Sequence, residues 1–180
     1  IRSEEDLLAK EVTIGDKTIT GLGVVTKRQP TPEELRDLRY AWYCAYVLRS
    51  NATAIFKDGV LISPGTGQQD RVRSVRQSIN RVRELHRAAQ DGGIEDLRNS
   101  IHDYSLRGAS LASEALFPFP DSIKAIGPTG ITAIAQTGGS VRDNEVIQTA
   151  DDHNLTMIPE HTTYIYVVVL CGMLGVKNTV

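Results

Sequence analysis

The chain has 180 residues, 41% hydrophobic and 23% charged, which is the balance of one globular domain and excludes disorder over most of its length. Its formal charge is −2, from 20 Lys and Arg against 22 Asp and Glu, so no global basic field recruits nucleic acid. Cys44 and Cys171 are the only cysteines, which excludes a disulfide framework and a cysteine-rich zinc site and suits a reducing cytosol.

From Ile1 there is no basic region followed by an apolar one, so no signal peptide is expected, and the start is read as lying inside a longer protein. Residues 12–14 and 18–26 are β-rich runs split by the turn Gly15-Asp16-Lys17, and Lys27-Arg28-Gln29-Pro30 reads as a connector. Thr31-Pro32-Glu33-Glu34 then carries every signal of a helix start. Thr31 can cap, Glu34 sits at the capping-box position, and Pro32 takes the first helical place. Leu35, Leu38, Trp42, Ala45 and Tyr46 share one face at 3.6-residue spacing, predicting a helix to about Arg49. A strand at 54–56, the hairpin turn Asp58-Gly59 and a return strand at 60–62 follow, closed by the loop Ser63-Pro64-Gly65-Thr66-Gly67.

A long helix is predicted over 68–89. Asp91-Gly92-Gly93 breaks it, and a weaker helix is expected over 95–107. Residues 110–112 form a buried strand before Phe117-Pro118-Phe119-Pro120, after which Asp121 is expected to cap a helix to residue 126. A strand at 131–135 leads into Gln136-Thr137-Gly138-Gly139-Ser140, with a helix over 142–151 and a strand at 155–158 beyond. Strands alternating with helices imply a layered α/β domain with a mostly parallel sheet. The longest apolar stretch, 164–176, is ~13 residues, short of the about 20 that span a bilayer. The expectation is a soluble cytoplasmic chain with no membrane and no nucleic-acid partner.

The long helix carries Arg71, Arg73, Arg76, Arg81, Arg83 and Arg87 beside an apolar stripe of Val72, Val75, Ile79, Val82 and Ala89. Arg73, Arg76, Arg83 and Arg87 fall to one side, as a solvated face does. Arg71 instead lies within the stripe at the helix N-terminus, where backbone N–H groups favour an anion. A buried-facing arginine needs a partner. Spacing leaves both a structural carboxylate and a ligand's phosphate or carboxylate open. Gly138-Gly139-Ser140, between a strand and a helix, has the layout of an anion-binding turn or of a plain tight turn. The Phe117 to Pro120 cluster suits either the core or the wall of a planar ligand. His86, His102, His153 and His161 have no ligand spacing, and no C-x-x-C, H-x-E, H-E-x-x-H or G-x-S-x-G occurs. No metal site is expected.

Several segments together resemble one family. They are Val24-Val25-Thr26-Lys27-Arg28-Gln29-Pro30-Thr31, Ser50-Asn51-Ala52, Lys57-Asp58-Gly59 and Gly65-Thr66-Gly67-Gln68-Gln69-Asp70-Arg71-Val72. Ala112-Ser113-Glu114-Ala115-Leu116-Phe117-Pro118-Phe119, Gly130-Ile131-Thr132-Ala133-Ile134, Gly138-Gly139-Ser140-Val141-Arg142-Asp143 and Glu145-Val146-Ile147 follow in order. The chain is similar, over about residues 22–158, to the C-terminal half of AICAR transformylase, the folate-dependent part of a bifunctional purine enzyme that also carries IMP cyclohydrolase.

The resemblance implies a cytidine-deaminase-like α/β/α subdomain without the deaminase zinc, spanning 31–158 between an N-terminal segment (1–30) and an atypical tail (159–180). It implies formyl transfer from 10-formyltetrahydrofolate to AICAR in a homodimer whose sites draw on both subunits. Asn51 resembles the asparagine at the AICAR carboxamide, and Arg71 the arginine that holds the nucleotide. Val72, Phe119, Asp121, Ser122 and Ser140 match the folate side. Three departures stand out: Leu116 in place of a first phenylalanine, Thr137 in place of a proline, and Thr163 near an expected arginine. The family's catalytic lysine–histidine pair belongs to its N-terminal transformylase subdomain, so no catalytic residue is assigned here. A non-catalytic nucleotide- or folate-binding module and a structural fragment without ligand are the rival readings.

Overall fold

The computed structural model describes residues 11–14, 17–20, 23–90 and 105–159. Strands β1 (Glu11–Ile14) and β2 (Lys17–Thr20) form a small antiparallel hairpin. Helix α1 (Pro32–Val47) starts as its sequence dictates. Thr31 Oγ1 accepts the Glu34 N–H (3.2 Å) and Glu34 Oε2 accepts the Thr31 N–H (2.9 Å), closing the capping box. Strands β3 (Thr53–Lys57) and β4 (Val60–Gly65) are joined by Asp58-Gly59, whose φ values of 52° and 79° are the two left-handed residues a tight hairpin requires. The buried Asp37 carboxylate accepts the Gly59 N–H (2.8 Å) and fixes that turn against α1.

Helix α2 (Arg71–Gln90), strand β5 (Ser110–Ser113), helix α3 (Asp121–Ile126), a 3-10 turn (Gly127–Thr129), strand β6 (Ala133–Gln136), helix α4 (Asp143–Asp152) and strand β7 (Thr156–Pro159) complete it. The sheet order is β4-β3-β5-β6-β7. Strand β3 is antiparallel to both neighbours, while β5, β6 and β7 are mutually parallel, so four strands share one direction. The mostly parallel α/β sheet expected from the sequence is found.

Period-two alternation along the strands sorts the core into two layers. Ala54, Ala112, Ala133, Ala135 and Ile158 face α1, meeting Leu38, Ala41, Trp42 and Ala45. Ile55, Leu111, Ile134 and Met157 face the other way, onto Val75, Ile79 and Val82 of α2, Ile123 and Ile126 of α3, and Val146 and Ile147 of α4. The result is α/β/α. Each large side chain buried in this way contributes ~1.5–3 kcal/mol. Small alanines on the first face let the bulk of Trp42 fit between helix and sheet.

Helix α2 approaches even more closely. A Cβ on Gly65 would lie 2.2 Å from the Ser74 carbonyl oxygen and 2.8 Å from Thr53 Oγ1. Thr53 Oγ1 donates to Ser74 O (3.1 Å) and lies 3.1 Å from Ser74 Oγ and 3.3 Å from Ser78 Oγ. All four residues are buried. A polar seam with one missing side chain thus docks α2 on β3 and β4.

Several boundaries differ from expectation. Ser63, Pro64 and Gly65 belong to β4, which tolerates a proline because it is an edge strand with one unpaired side. The expected second β run stops at Thr20, and residues 25–28 instead strap the other edge of the sheet. There the Val25 N–H donates to Met157 O (3.0 Å), and the Met157 N–H to Thr26 Oγ1 (2.8 Å). Asp121 is the first residue of α3, not its cap; Pro120 holds the cap position, and Asp121 Oδ1 accepts the Ser122 N–H (2.8 Å). Of the helix expected over 95–107, residues 105–107 are irregular and the rest lies outside the described residues, as do Gly15, Asp16, Asp91-Gly92-Gly93, His102, His161, Thr163, Cys171 and the tail beyond Pro159. Among the described residues no helix is long and apolar enough to cross a membrane.

The strap is locked by Arg28. Its guanidinium pairs with the buried Glu34 carboxylate through two nitrogens (2.9 and 2.7 Å) and also donates to Thr156 Oγ1 (2.7 Å) and the Thr132 carbonyl (3.3 Å). Thr132 Oγ1 donates to the same carboxylate. Burial pushes the Glu34 carboxyl up, but hydrogen bonds from Arg28, Thr132 and Thr31 outweigh it, and the group ends below its ordinary range. A lowered folded-state value means the ionised pair stabilises the fold above the unfolded glutamate's range, and this contribution is lost as pH falls through the folded value. Glu34→Gln should therefore lower the unfolding free energy at neutral pH by ~3 kcal/mol. It should also flatten the acid limb of the stability–pH curve, as read by urea titration at a series of pH values. Gly65→Ala should cost a further independent ~3 kcal/mol, because the atom it meets is backbone and cannot move aside; thermal melts of the single variant test this.

Candidate functional site

Because β4, β5, β6 and β7 run one way and β3 the other, Thr53, Gly65, Ser113, Gln136 and Pro159 end on one edge of the sheet. Residues 48–52, 66–70, 114–120 and 137–142 emerge there as loops. This carboxyl edge is where open α/β sheets bind ligands.

Glu114, the first residue after β5, draws three of these segments together. Its Oε1 accepts the Ser50 hydroxyl (2.6 Å) and the Ala52 N–H (3.0 Å), and lies 2.7 Å from Arg71 Nη1 at the start of α2. The Arg71 and Glu114 side chains are 13% and 10% exposed, so this is a largely desolvated ion pair. Arg71 Nη1 nevertheless directs no N–H at an acceptor, so the contact is ionic rather than a formed hydrogen bond. Of the two partners that spacing left open for Arg71, the protein carboxylate is present.

Asn51 sits between the two Glu114-bound residues. Its Nδ2 donates to Gln68 O (2.8 Å), and the Asn51 and Gln68 backbones pair at 3.2 and 3.4 Å. The Gly67 N–H donates to Arg49 O (2.7 Å), and the Thr66 N–H to Gln77 Oε1 (2.9 Å). The loop before β3 is therefore zipped to the loop after β4, and Glu114 joins that first loop, through Ser50 and Ala52, to Arg71.

The residues matched to a folate side distribute unevenly. Phe119 is 50% exposed, with the Arg142 guanidinium 5.2 Å from its ring centroid. Ser140 is half-buried, its Oγ 3.5 Å from Pro118 O. Val72 is half-buried on the first turn of α2, and Asp121 is exposed. Ser122 is fully buried, with no hydrogen-bond partner for its hydroxyl among the described residues. The structure thus brings the segments of Phe119 and Ser140 together at one edge and places Ser122 in the interior. Phe117 is in the core, its N–H held by the buried Gln136 Oε1 (2.8 Å).

The Gly138-Gly139-Ser140 turn is filled from within. The N–H groups of Gly139 and Ser140 donate to the buried Asp143 carboxylate at 2.8 and 3.1 Å. An anion in that turn would have to displace an internal one, so the tight-turn alternative holds. Glu114 and Asp143 are the residues that sequence reading missed. Their only signal was position, an acid directly after a buried strand and an acid opening a helix after paired glycines.

Among the described residues no group of three His, Cys, Asp or Glu could hold a metal ion. His86 and His153 are exposed, and Cys44 is a free, half-buried thiol whose pKa burial raises.

Fold and edge together define an α/β domain that gathers polar side chains at the carboxyl ends of its strands. Residues 2–81 match the family described as AICARFT/IMPCHase bienzyme. The chain is 42% identical over 137 residues to the bifunctional purine biosynthesis protein PurH of Aquifex aeolicus (strain VF5), covering 76% of this chain and 24% of that protein. The chain spans about a quarter of that relative's length. Among solved structures, a diaminohydroxyphosphoribosylaminopyrimidine deaminase/5-amino-6-(5-phosphoribosylamino)uracil reductase from Thermotoga maritima matches at a TM-score of 0.42 and 20% identity, over 79% of this chain and 40% of that one.

Truncating Glu114 would strand Arg71 with its charge unpaired and remove both loop hydrogen bonds. Glu114→Ala should lower the unfolding free energy by ~3 kcal/mol in urea titrations. Glu114→Gln, which retains an oxygen for Ser50 and Ala52, should cost clearly less.

Proposed function

We propose that this chain is the C-terminal, ligand-positioning part of a formyltransferase that moves the formyl group of 10-formyltetrahydrofolate to the amine of AICAR. The observation that carries this reading is the convergence of the Asn51 loop and Arg71 on Glu114 at the carboxyl edge, in a chain 42% identical to PurH over 137 residues.

The aminoimidazole amine is conjugated to its ring and is a poor nucleophile, so attack on the formyl carbon needs a base at the amine and stabilisation of the tetrahedral oxyanion. This chain would supply orientation. Asn51 Nδ2 is already committed to Gln68, which leaves the amide oxygen to receive the carboxamide N–H of AICAR. Arg71, half neutralised by Glu114, would hold the nucleotide from the first turn of α2. Phe119 and Ser140, with Val72 and Asp121 beside them, would bound the folate, and the buried Ser122 would only back that wall. The lysine–histidine pair would come from an N-terminal subdomain or a second subunit of a cytoplasmic homodimer.

The test is an assay of 10-formyltetrahydrofolate consumption with the purified chain, with and without an N-terminal transformylase subdomain. Alone the chain should show no turnover above background, since general acid–base groups contribute about 10²–10⁴-fold. With the subdomain turnover should appear, and Arg71→Ala should weaken AICAR about tenfold or more. Turnover by the chain alone at the paired rate would place the base within these residues. Cyclisation of formyl-AICAR to IMP without formyl transfer would assign the chain to the cyclohydrolase activity of the family instead.

A further inference from the structure

The arginine-rich helix keeps a second feature that the carboxyl-edge site does not use. Between α2 and α3 lies an open cleft of about 500 Å³, lined by Arg76, Ile79, Asn80 and Arg83 of α2, Asp121, Lys124 and Ala125 of α3, and Pro128. Its size is within the range of small-molecule sites. Three cations against one carboxylate leave the lining at net +2 (3 − 1).

The arginines of α2 do not all behave alike. Arg73 is paired with Asp70 (3.1 Å), Arg81 with Glu84 (3.6 Å) and Arg71 with Glu114. Arg76, Arg83 and Lys124 have no carboxylate within ion-pair distance among the described residues, although Asp121 shares the cleft. Asp121 Oδ1 is instead taken by the Ser122 N–H. Arg76 and Arg83 are seven positions apart, two turns of helix, so they share one stripe with their backbones ~10 Å apart. Lys124 comes from the opposite wall. Asn80, on the same stripe between the arginines, adds an amide donor. The floor and one end are apolar, from the buried Ile79, the half-buried Ala125 and the exposed Pro128.

We infer that this cleft is a binding site for an oligophosphate, an elongated small anion carrying several charges along its length. A compact anion would require Arg76 and Arg83 to bend towards each other against their mutual repulsion. A chain of two or three phosphates meets both without this, and guanidinium groups bind phosphate through paired hydrogen bonds. The apolar end has room for the organic part of a nucleotide, so both inorganic oligophosphate and nucleoside triphosphate are sources of the same chemistry. The inference stands independently of the formyltransferase reading, with which it shares only Asp121.

Isothermal titration calorimetry of the purified chain with inorganic tripolyphosphate and, separately, with ATP tests it. One saturable site per chain is expected, weakening as ionic strength rises. Equal affinities would mean that the phosphate chain alone is recognised, and tighter ATP binding that the apolar end takes the nucleoside. Both support the site. The double variant Arg83→Gln, Lys124→Gln should weaken binding about tenfold or more, whereas Arg81→Gln, on the opposite side of α2, should change it less than about twofold. Both variants alter exposed residues, and unchanged melting temperatures check that the fold persists. Absence of saturable heat, an equal loss in Arg81→Gln, or tighter binding of a single-stranded oligonucleotide that tripolyphosphate does not displace would each overturn it.

Discussion

Where the backbone of α2 rests on β3 and β4, there is no room for a side chain. The Ser74 carbonyl sits where a Cβ of residue 65 would be, and Thr53, Ser74 and Ser78 close the contact with hydroxyl groups rather than hydrocarbon. A hydroxyl seam of this kind is directional, so it fixes both the height of the helix and its rotation about its own axis, which an apolar contact alone would leave looser. Both candidate surfaces inherit that setting. Rotation places Arg71 towards Glu114 at the carboxyl edge, and the same rotation turns Arg76, Asn80 and Arg83 towards α3.

Two buried carboxylates tie the sheet at opposite edges and differ in what they leave available. Glu34, at the amino edge, is saturated by Arg28, Thr31 and Thr132 and joins the strap, α1 and β6. Nothing there remains to meet a ligand. Glu114, at the carboxyl edge, is shared by a hydroxyl, an N–H and a guanidinium that it touches without a directed hydrogen bond. A buried charge pair adds little net stability over an apolar replacement, but breaking it is costly, so its effect is to specify one arrangement. At the amino edge that arrangement is structural. At the carboxyl edge it sets the orientation of an arginine that has donor capacity left over.

Sequence carried the local elements well. The capping box at Thr31 and Glu34, the Asp58-Gly59 hairpin and the apolar stripe of Val75, Ile79 and Val82 are set by interactions within a few residues, and each stands where periodicity and turn chemistry put it. The alternation of alanine with larger side chains in β3, β5 and β6 likewise determines two unequal faces before any helix is placed. Family likeness was legible too, because the quoted motifs are contiguous.

Only the tertiary structure decided which charges meet. Arg28 and Thr156 are 128 positions apart, and Ser50 and Glu114 are 64 apart, yet each pair shares a hydrogen bond. No periodicity within an element encodes such a distance. The same holds for the connector that became an edge strap, for the glycine turn whose N–H groups Asp143 had already claimed, and for Ser122, placed in the interior although its neighbour Asp121 is exposed. Local sequence determines which groups can hydrogen-bond or ionise. Whether a partner is protein or ligand depends on which segments the folded sheet brings to one edge, because electrostatic pairing acts through space and not along the chain.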